Sequence, residues 1–249
     1  MTTLLHLDSS AHRCEESVSR GLTASFADTW RALHGSGGYR YRDLAADPVP
    51  PLDTAYCALG RRAERHGLLP PDRVGELVRS PAERREWALT HPLINELLAA
   101  DTVLIGAPMY NYGVPAALKT WIDRVSFPGA FSDPDTGDSL LRDTRVVVIT
   151  ARGGAYGPGT PREGWDFLTP YLRAYFAEHG VPDENLFVVT AELTMAGLMP
   201  HLAAFRPLAA SSLATARSEV IALATETAGA AVRRAAPAVS SSASPVRPG

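Results

Sequence analysis

The chain has 249 residues, 45% of them hydrophobic, and a net charge of -3, enough to bury one sizeable core. Its basic residues are spread along the chain, which argues against a nucleic-acid footprint, and Cys14 and Cys57 are too few for a disulfide framework. Met1 to Asp8 lack the regions of a signal peptide and no apolar run nears the roughly 20 residues that span a bilayer, so the expected location is cytoplasmic. Leu4 to Leu7 predict a first apolar strand ending in Asp8-Ser9-Ser10. A loop follows, then an amphipathic helix from about Ser19 to Leu33. Tyr39 to Leu44 predict a second, more exposed strand with charge at alternate positions. Pro48, Pro50 and Pro51 open a long stretch without regular structure, to about Ser80, of the kind used for lids or interfaces. Ser80-Pro81-Ala82-Glu83 reads as an N-cap followed by proline and an acidic residue, starting a helix to about Ala100.

Thr102 to Ala107 form a short apolar run suited to a strand buried on both faces. Pro108 ends it, because its ring supplies no N–H to a ladder. Met109 to Gly113 make an irregular turn and Pro115 begins the next helix, which carries Leu118, Trp121, Ile122 and Val125 on one face. Residues 127–131 and 133–137 are turn-rich. Val146 to Thr150 predict another buried strand, followed by a glycine-rich loop and a helix from about Glu163 to His179. Leu186 to Thr190 are the last strand, and a final helix covers roughly Pro207 to Arg234. The domain is thus 1–235, and 236–249 is a Pro/Ala/Ser-rich tail expected to be disordered.

Strands of this length alternating with helices predict an α/β fold: a doubly wound, five-stranded parallel sheet in the flavodoxin-like order 2-1-3-4-5, with helices on both faces. That order makes strands one, three and four neighbours, so three loops meet at the carboxyl edge, where such sheets bind ligands. The first is rich in hydroxyls, with Ser9, Ser10, Ser17 and Ser19, and feeds a helix N-terminus that suits a phosphate. Glu15 and Glu16 must then point outward. The second offers Met109, Tyr110 and Tyr112 as flat or soft surfaces and the Asn111 amide. In the third, Gly153 and Gly154 expose backbone donors suited to electron-rich oxygens. Caps, packed turns and tight bends account for each loop alone; their meeting at adjacent strand ends matches the phosphate, ring and polar ring edge of a flavin mononucleotide.

Leu7-Asp-Ser-Ser10, Arg42-Asp-Leu-Ala-Ala-Asp-Pro-Val-Pro50, Ala107-Pro-Met-Tyr-Asn-Tyr112, Ala117-Leu-Lys-Thr-Trp-Ile-Asp-Arg-Val125, Ile149-Thr-Ala-Arg-Gly-Gly154 and Thr169-Pro-Tyr-Leu172 carry a family resemblance. The chain resembles the FMN-dependent NADH azoreductases, also called FMN-dependent NADH:quinone oxidoreductases, over about 1–235. The resemblance implies a homodimer with one FMN per subunit, reduced by NADH or NADPH. By matching position it implies that Ser10, Ser17, Val18 and Ser19 hold the phosphate, that Pro108, Met109, Tyr110, Asn111 and Tyr112 lie along the isoalloxazine, and that Arg152, Gly153 and Gly154 meet its pyrimidine edge. Phe131 and Tyr156 fall where the family lines its substrate pocket. Ala151 replaces the family's usual Ser or Thr, and Val125 to Phe131 is one residue shorter than the common pattern.

The implied chemistry is ping-pong: a nicotinamide reduces the flavin, leaves, and an aromatic acceptor such as a quinone or azo compound takes two electrons at the same ring face. No side chain stands out as an acid or base, and no metal is expected. His91-Pro-Leu-Ile-Asn-Glu96 lacks a second histidine for zinc, and Asp133 to Asp138 falls short of a calcium loop. Cys14 reads as a passive thiol, His12 as solvated, and Lys119 with Asp123 as a surface pair. Two other functions compete. One is a flavin-dependent tailoring reductase with a single dedicated aromatic acceptor, motivated by the altered 125–131 stretch. The other is a flavodoxin-type electron carrier, against which the modest net charge and the 45–80 insertion argue.

Overall fold

Five parallel strands, β1 (Leu4–Asp8), β2 (Tyr39–Asp43), β3 (Thr102–Pro108), β4 (Arg145–Ala151) and β5 (Leu186–Ala191), form one sheet in the order β2-β1-β3-β4-β5, as the sequence predicts. The computed structural model describes residues 2–13 and 15–235, with side chains to 226; Cys14 and the expected tail at 236–249 lie outside the described residues. The central strands β3 and β4 are predominantly apolar and buried on both faces, apart from the half-buried Arg145 at the start of β4. Asp8 is in register with Gly106, and Pro108 with Ala151, so the carboxyl ends of β1, β3 and β4 stand side by side.

Alternation along the strands divides the core in two. Leu5, Leu7, Val103, Ile105, Val146 and Val148 face α2 (Thr54–His66), α3 (Pro71–Val74), α4 (Pro81–Leu98), α5 (Ala116–Val125) and α6 (Leu168–Glu178). Leu4, Leu104, Val147, Ile149 and Val189 face Leu22, Phe26 and Trp30 of α1 (Val18–His34) and Ala216, Val220 and Ala224 of α7 (Arg206–Ala235). On the edge strand β2 the same period separates Arg40 and Arg42, both paired with Glu96 of α4, from Tyr39 and Tyr41, whose rings lie against His6.

Residues 45–80, expected to lack regular structure, instead contain α2 and α3 and a short 3-10 turn. The Asp53 carboxylate caps α2 by accepting from the Tyr56 amide at 2.8 Å, and Gly67 ends it with φ 94°. Its buried stripe is narrow, Tyr56, Leu59, Gly60 and Ala63, so the flanking arginines and prolines mask the period. The helix expected from about Glu163 starts only at Leu168; turns occupy the residues before it, with Gly164 at φ 80°. Ser80 caps α4 as expected, its hydroxyl accepting from the Glu83 amide at 3.2 Å, and Pro115 is the N-cap rather than the first residue of α5, a one-residue difference.

Candidate active site at the carboxyl edge of the sheet

The loop after β1 gathers three hydroxyls. Ser17 Oγ donates to Ser10 Oγ at 2.9 Å and lies 3.2 Å from Ser19 Oγ. All three serines are buried. The Ser10, Val18 and Ser19 amides donate to nothing among the described residues; for the latter two this follows from their place in the first turn of α1. Val18 packs its side chain against the α1–α7 core, so its amide is what it offers the loop. Glu15 and Glu16 are exposed, as expected. Hydroxyls and unpaired amides at a helix N-terminus are a donor set that fits a phosphate.

After β3 the chain makes a tight hairpin. The Tyr110 amide donates to the Gly113 carbonyl at 3.1 Å and the Gly113 amide returns the bond at 3.0 Å. The two central residues, Asn111 and Tyr112, have φ of 48° and 71°, as a two-residue primed turn requires. Pro108 is the buried last residue of β3, Met109 and Tyr110 are half-buried, and Asn111 and Tyr112 are exposed. The Tyr110 hydroxyl accepts from the Ala11 amide at 3.1 Å and lies 3.4 Å from Ser10 Oγ, while the Met109 amide donates to the Ala151 carbonyl at 2.9 Å. Tyr112 meets Tyr156 edge-on at 6.3 Å between ring centroids. Direct contacts therefore tie the three loops together in order.

The third loop differs in one respect from the sequence expectation. Arg152 turns its side chain into the protein: its guanidinium donates to Asp166 at 2.7 Å, Thr169 at 2.7 Å and Glu192 at 3.3 Å, and its amide donates to Ala191 O at 2.8 Å. Arg152 is thus a brace between β4, β5 and α6, and the donors it leaves for a ligand are its neighbours'. The Gly153 and Gly154 amides have no acceptor among the described residues. Gly153 has no room for a side chain, since a Cβ there would sit 2.9 Å from Met195 Cγ. Glu192 also accepts the Tyr156 amide at 3.1 Å, which fixes the loop from below.

Of the two residues expected in the substrate pocket, the structure brings one to the site. Tyr156 stands beside Tyr112. Phe131 is buried in the core and packs edge-on against His179 at the far end of α6, whose start is tied to Tyr112 by the bond from the Phe167 amide at 3.0 Å. The helix length puts roughly 16 Å between them, so Phe131 does not reach Tyr112 within one chain. The 125–131 stretch packs in the same way, with Phe127 on Tyr56 and Trp87. Three residues not singled out in the sequence belong to the site. Trp165 meets the Tyr112 ring edge-on at 5.4 Å, Met195 backs Gly153, and Arg20 donates to the Ser10 carbonyl at 2.6 Å. Only Trp165, an exposed aromatic in a glycine- and proline-rich stretch, left a readable signal.

This fold, with its ligand-facing donors gathered at one sheet edge, defines a flavodoxin-like α/β protein, and residues 2–205 match the family model described as flavodoxin-like fold. The chain is 48% identical over 206 residues to an FMN-dependent NADH:quinone oxidoreductase of Nocardia farcinica, covering 83% of this chain and 90% of that one. It is 40% identical over 227 residues to the protein of that name from Streptomyces coelicolor, covering 91% and 95%. The chain belongs to the family of FMN-dependent NADH:quinone oxidoreductases. Among solved structures, an azoreductase from Bacillus anthracis str. Sterne superposes with a TM-score of 0.73 at 21% identity, covering 91% of this chain and all of that one. An FMN-dependent NADH-azoreductase from Bacillus anthracis str. Ames Ancestor in complex with FMN gives 0.71 at 22%, covering 92% of this chain and all of that one. At those identities the likeness concerns the fold.

Proposed function

We propose that this chain is an FMN-dependent oxidoreductase that passes two electrons from NADH or NADPH to quinones or azo compounds by a ping-pong mechanism. One observation carries the reading: unpaired amides at Ser10, Val18 and Ser19 and at Gly153 and Gly154 flank a turn that presents flat side chains. The serine hydroxyls and α1 amides hold the phosphate. Pro108 to Tyr112 lie along the ring system, and the Gly153 and Gly154 amides donate to its pyrimidine edge. Bound FMN supplies the two-electron chemistry. The chain's own part is to place the ring, leave one face open and put backbone dipoles where negative charge gathers on reduction. Tyr112, Tyr156 and Trp165 form an aromatic wall on which a planar acceptor stacks.

A second copy of the chain completes the assembly in this reading, because Phe167, Leu198 and Leu208 are large apolar side chains exposed in the single chain, of the kind a homodimer buries. Among the described residues no helix is long and apolar enough to cross a membrane, and the cytoplasm is the proposed location. The test is anaerobic: protein loaded with FMN shows visible flavin absorbance, NADH bleaches it, and a quinone or azo dye restores it. Protein that takes up no FMN, or loaded protein unchanged by both NADH and NADPH, ends the proposal. Parallel lines in double-reciprocal plots support ping-pong order, and intersecting lines refute it.

A further inference from the structure

Arg20, in the first turn of α1, is buried, and both ends of its guanidinium grip the Asp43 carboxylate at 2.7 Å. The same group donates to the Tyr41 hydroxyl at 3.1 Å and lies 3.7 Å from the Asp8 carboxylate. Asp43 is itself anchored, accepting the Ala45 and Ala46 amides at 3.1 Å each, and Asp8 accepts from Thr23 at 2.9 Å and Tyr41 at 3.1 Å. One cation facing two carboxylates brings no net positive charge to the loop, so attraction of an anion is not what Arg20 supplies. Its remaining bond, from Nη2 to the Ser10 carbonyl at 2.6 Å, is the one that matters for the site. The Ser10–Ala11 peptide is a rigid plane. Arg20 pins its C=O and the Tyr110 hydroxyl pins its N–H at 3.1 Å. With that plane fixed, the Ser10 side chain is held where Ser17 Oγ meets it at 2.9 Å.

We propose that Arg20 is a positioning residue for the phosphate subsite, acting through the Ser10 peptide to preorganise the three hydroxyls and the neighbouring amides for the 5′-phosphate of FMN. The proposal rests on the flavin reading above, and it makes a claim that reading does not: Arg20 governs affinity for the phosphate and not for the ring. Apo-protein is titrated with FMN and with riboflavin, which carries the same ring and no phosphate, following quenching of flavin fluorescence. In Arg20→Gln the ratio of riboflavin to FMN dissociation constants falls by about tenfold or more, the worth of one charge-assisted hydrogen bond. Arg20→Lys, which keeps the charge but cannot span Asp43 and Ser10 together, falls in the same direction. If Arg20→Gln fails to fold, Asp43→Asn keeps the arginine but removes the two-point carboxylate grip that aims it at the Ser10 carbonyl, and lowers the ratio likewise. Equal weakening of both flavins, or FMN affinity within about twofold of wild type in these variants, overturns the role of Arg20. Wild-type protein that binds neither flavin overturns the flavin reading itself, and this proposal with it.

Discussion

Tyr112 is a bulky residue held at φ 71°, a region that costs an L side chain about 1 kcal/mol or more. The turn from Tyr110 to Gly113 imposes it, and the ring is thereby presented to Trp165 and Tyr156. Replacement by glycine removes both ring and strain, whereas alanine removes the ring alone. Tyr112→Gly is therefore expected to be more stable than Tyr112→Ala by about 1 kcal/mol in chemical denaturation, with KM for an aromatic acceptor raised in both. Equal stabilities would show that the turn stores no strain. Gly106 makes a sharper case: an added Cβ would lie 2.3 Å from Asp8 Oδ1. Gly106→Ala drives that carboxylate off its partners and costs about 2 kcal/mol or more, and denaturation midpoints check it. At this scale the sequence was readable where a residue acts on its own neighbourhood. Ser17 caps the helix it precedes, and the Asn111 amide sits in a loop that could be read from its prolines. The directions of the Arg152 and Phe131 side chains are not legible in the sequence because they depend on distant partners: Asp166 and Glu192 draw the arginine inward, and His179 holds the phenylalanine at the far end of α6 within one chain.

Two elements escaped detection in 45–80 for a reason visible in α2: four buried positions among arginines make a helix whose apolar stripe is too narrow to see. Besides its core packing, this region is tied to α4 and α5 by Arg124, fully buried at the end of α5. It donates to the carbonyls of Pro50 at 2.9 Å and Pro51 at 3.0 Å and to the Glu86 carboxylate at 2.9 Å. Arg124→Leu removes the donor shared by Pro50, Pro51 and Glu86 and breaks an ion pair whose cation is fully buried, which is expected to cost about 3 kcal/mol in denaturation experiments, with proteolysis first appearing near Pro50. Unchanged stability would mean that the proline segment is held by other contacts.

The start of α4 carries a pH signature. Arg62 grips Glu83 through two bonds of 2.9 Å, and this, followed by the Arg79 and Ser80 amides, holds the Glu83 carboxyl below its ordinary value. The unfolded chain, whose glutamate titrates near 4.3, then takes up its proton first as pH falls. The stabilisation is full above that value and is lost as pH drops through the folded one. Glu83→Gln should flatten the decline of the unfolding midpoint on the acid side of about pH 4.3; an unchanged acid limb would count against the pair.

At the scale of the whole molecule, the order β2-β1-β3-β4-β5 turns loops distant along the chain into neighbours. That order was legible because alternating strands and helices leave few ways to wind a parallel sheet, and the buried runs of β3 and β4 could be read without knowing their partners. The segment between β5 and α7 was not legible: Met195 backs Gly153 only because the Met195 amide folds onto the Gly153 carbonyl at 3.4 Å, a contact with no local pattern. In the proposed function one FMN molecule is held by all three loops. A crystal structure of the protein with FMN tests it most directly. The expected result is a single flavin with its phosphate among Ser10, Ser17 and Ser19, its ring along Pro108 to Tyr112, and its pyrimidine oxygens within hydrogen-bond distance of the Gly153 and Gly154 amides. A flavin bound elsewhere, or one whose phosphate leaves the serine hydroxyls unengaged, would contradict it.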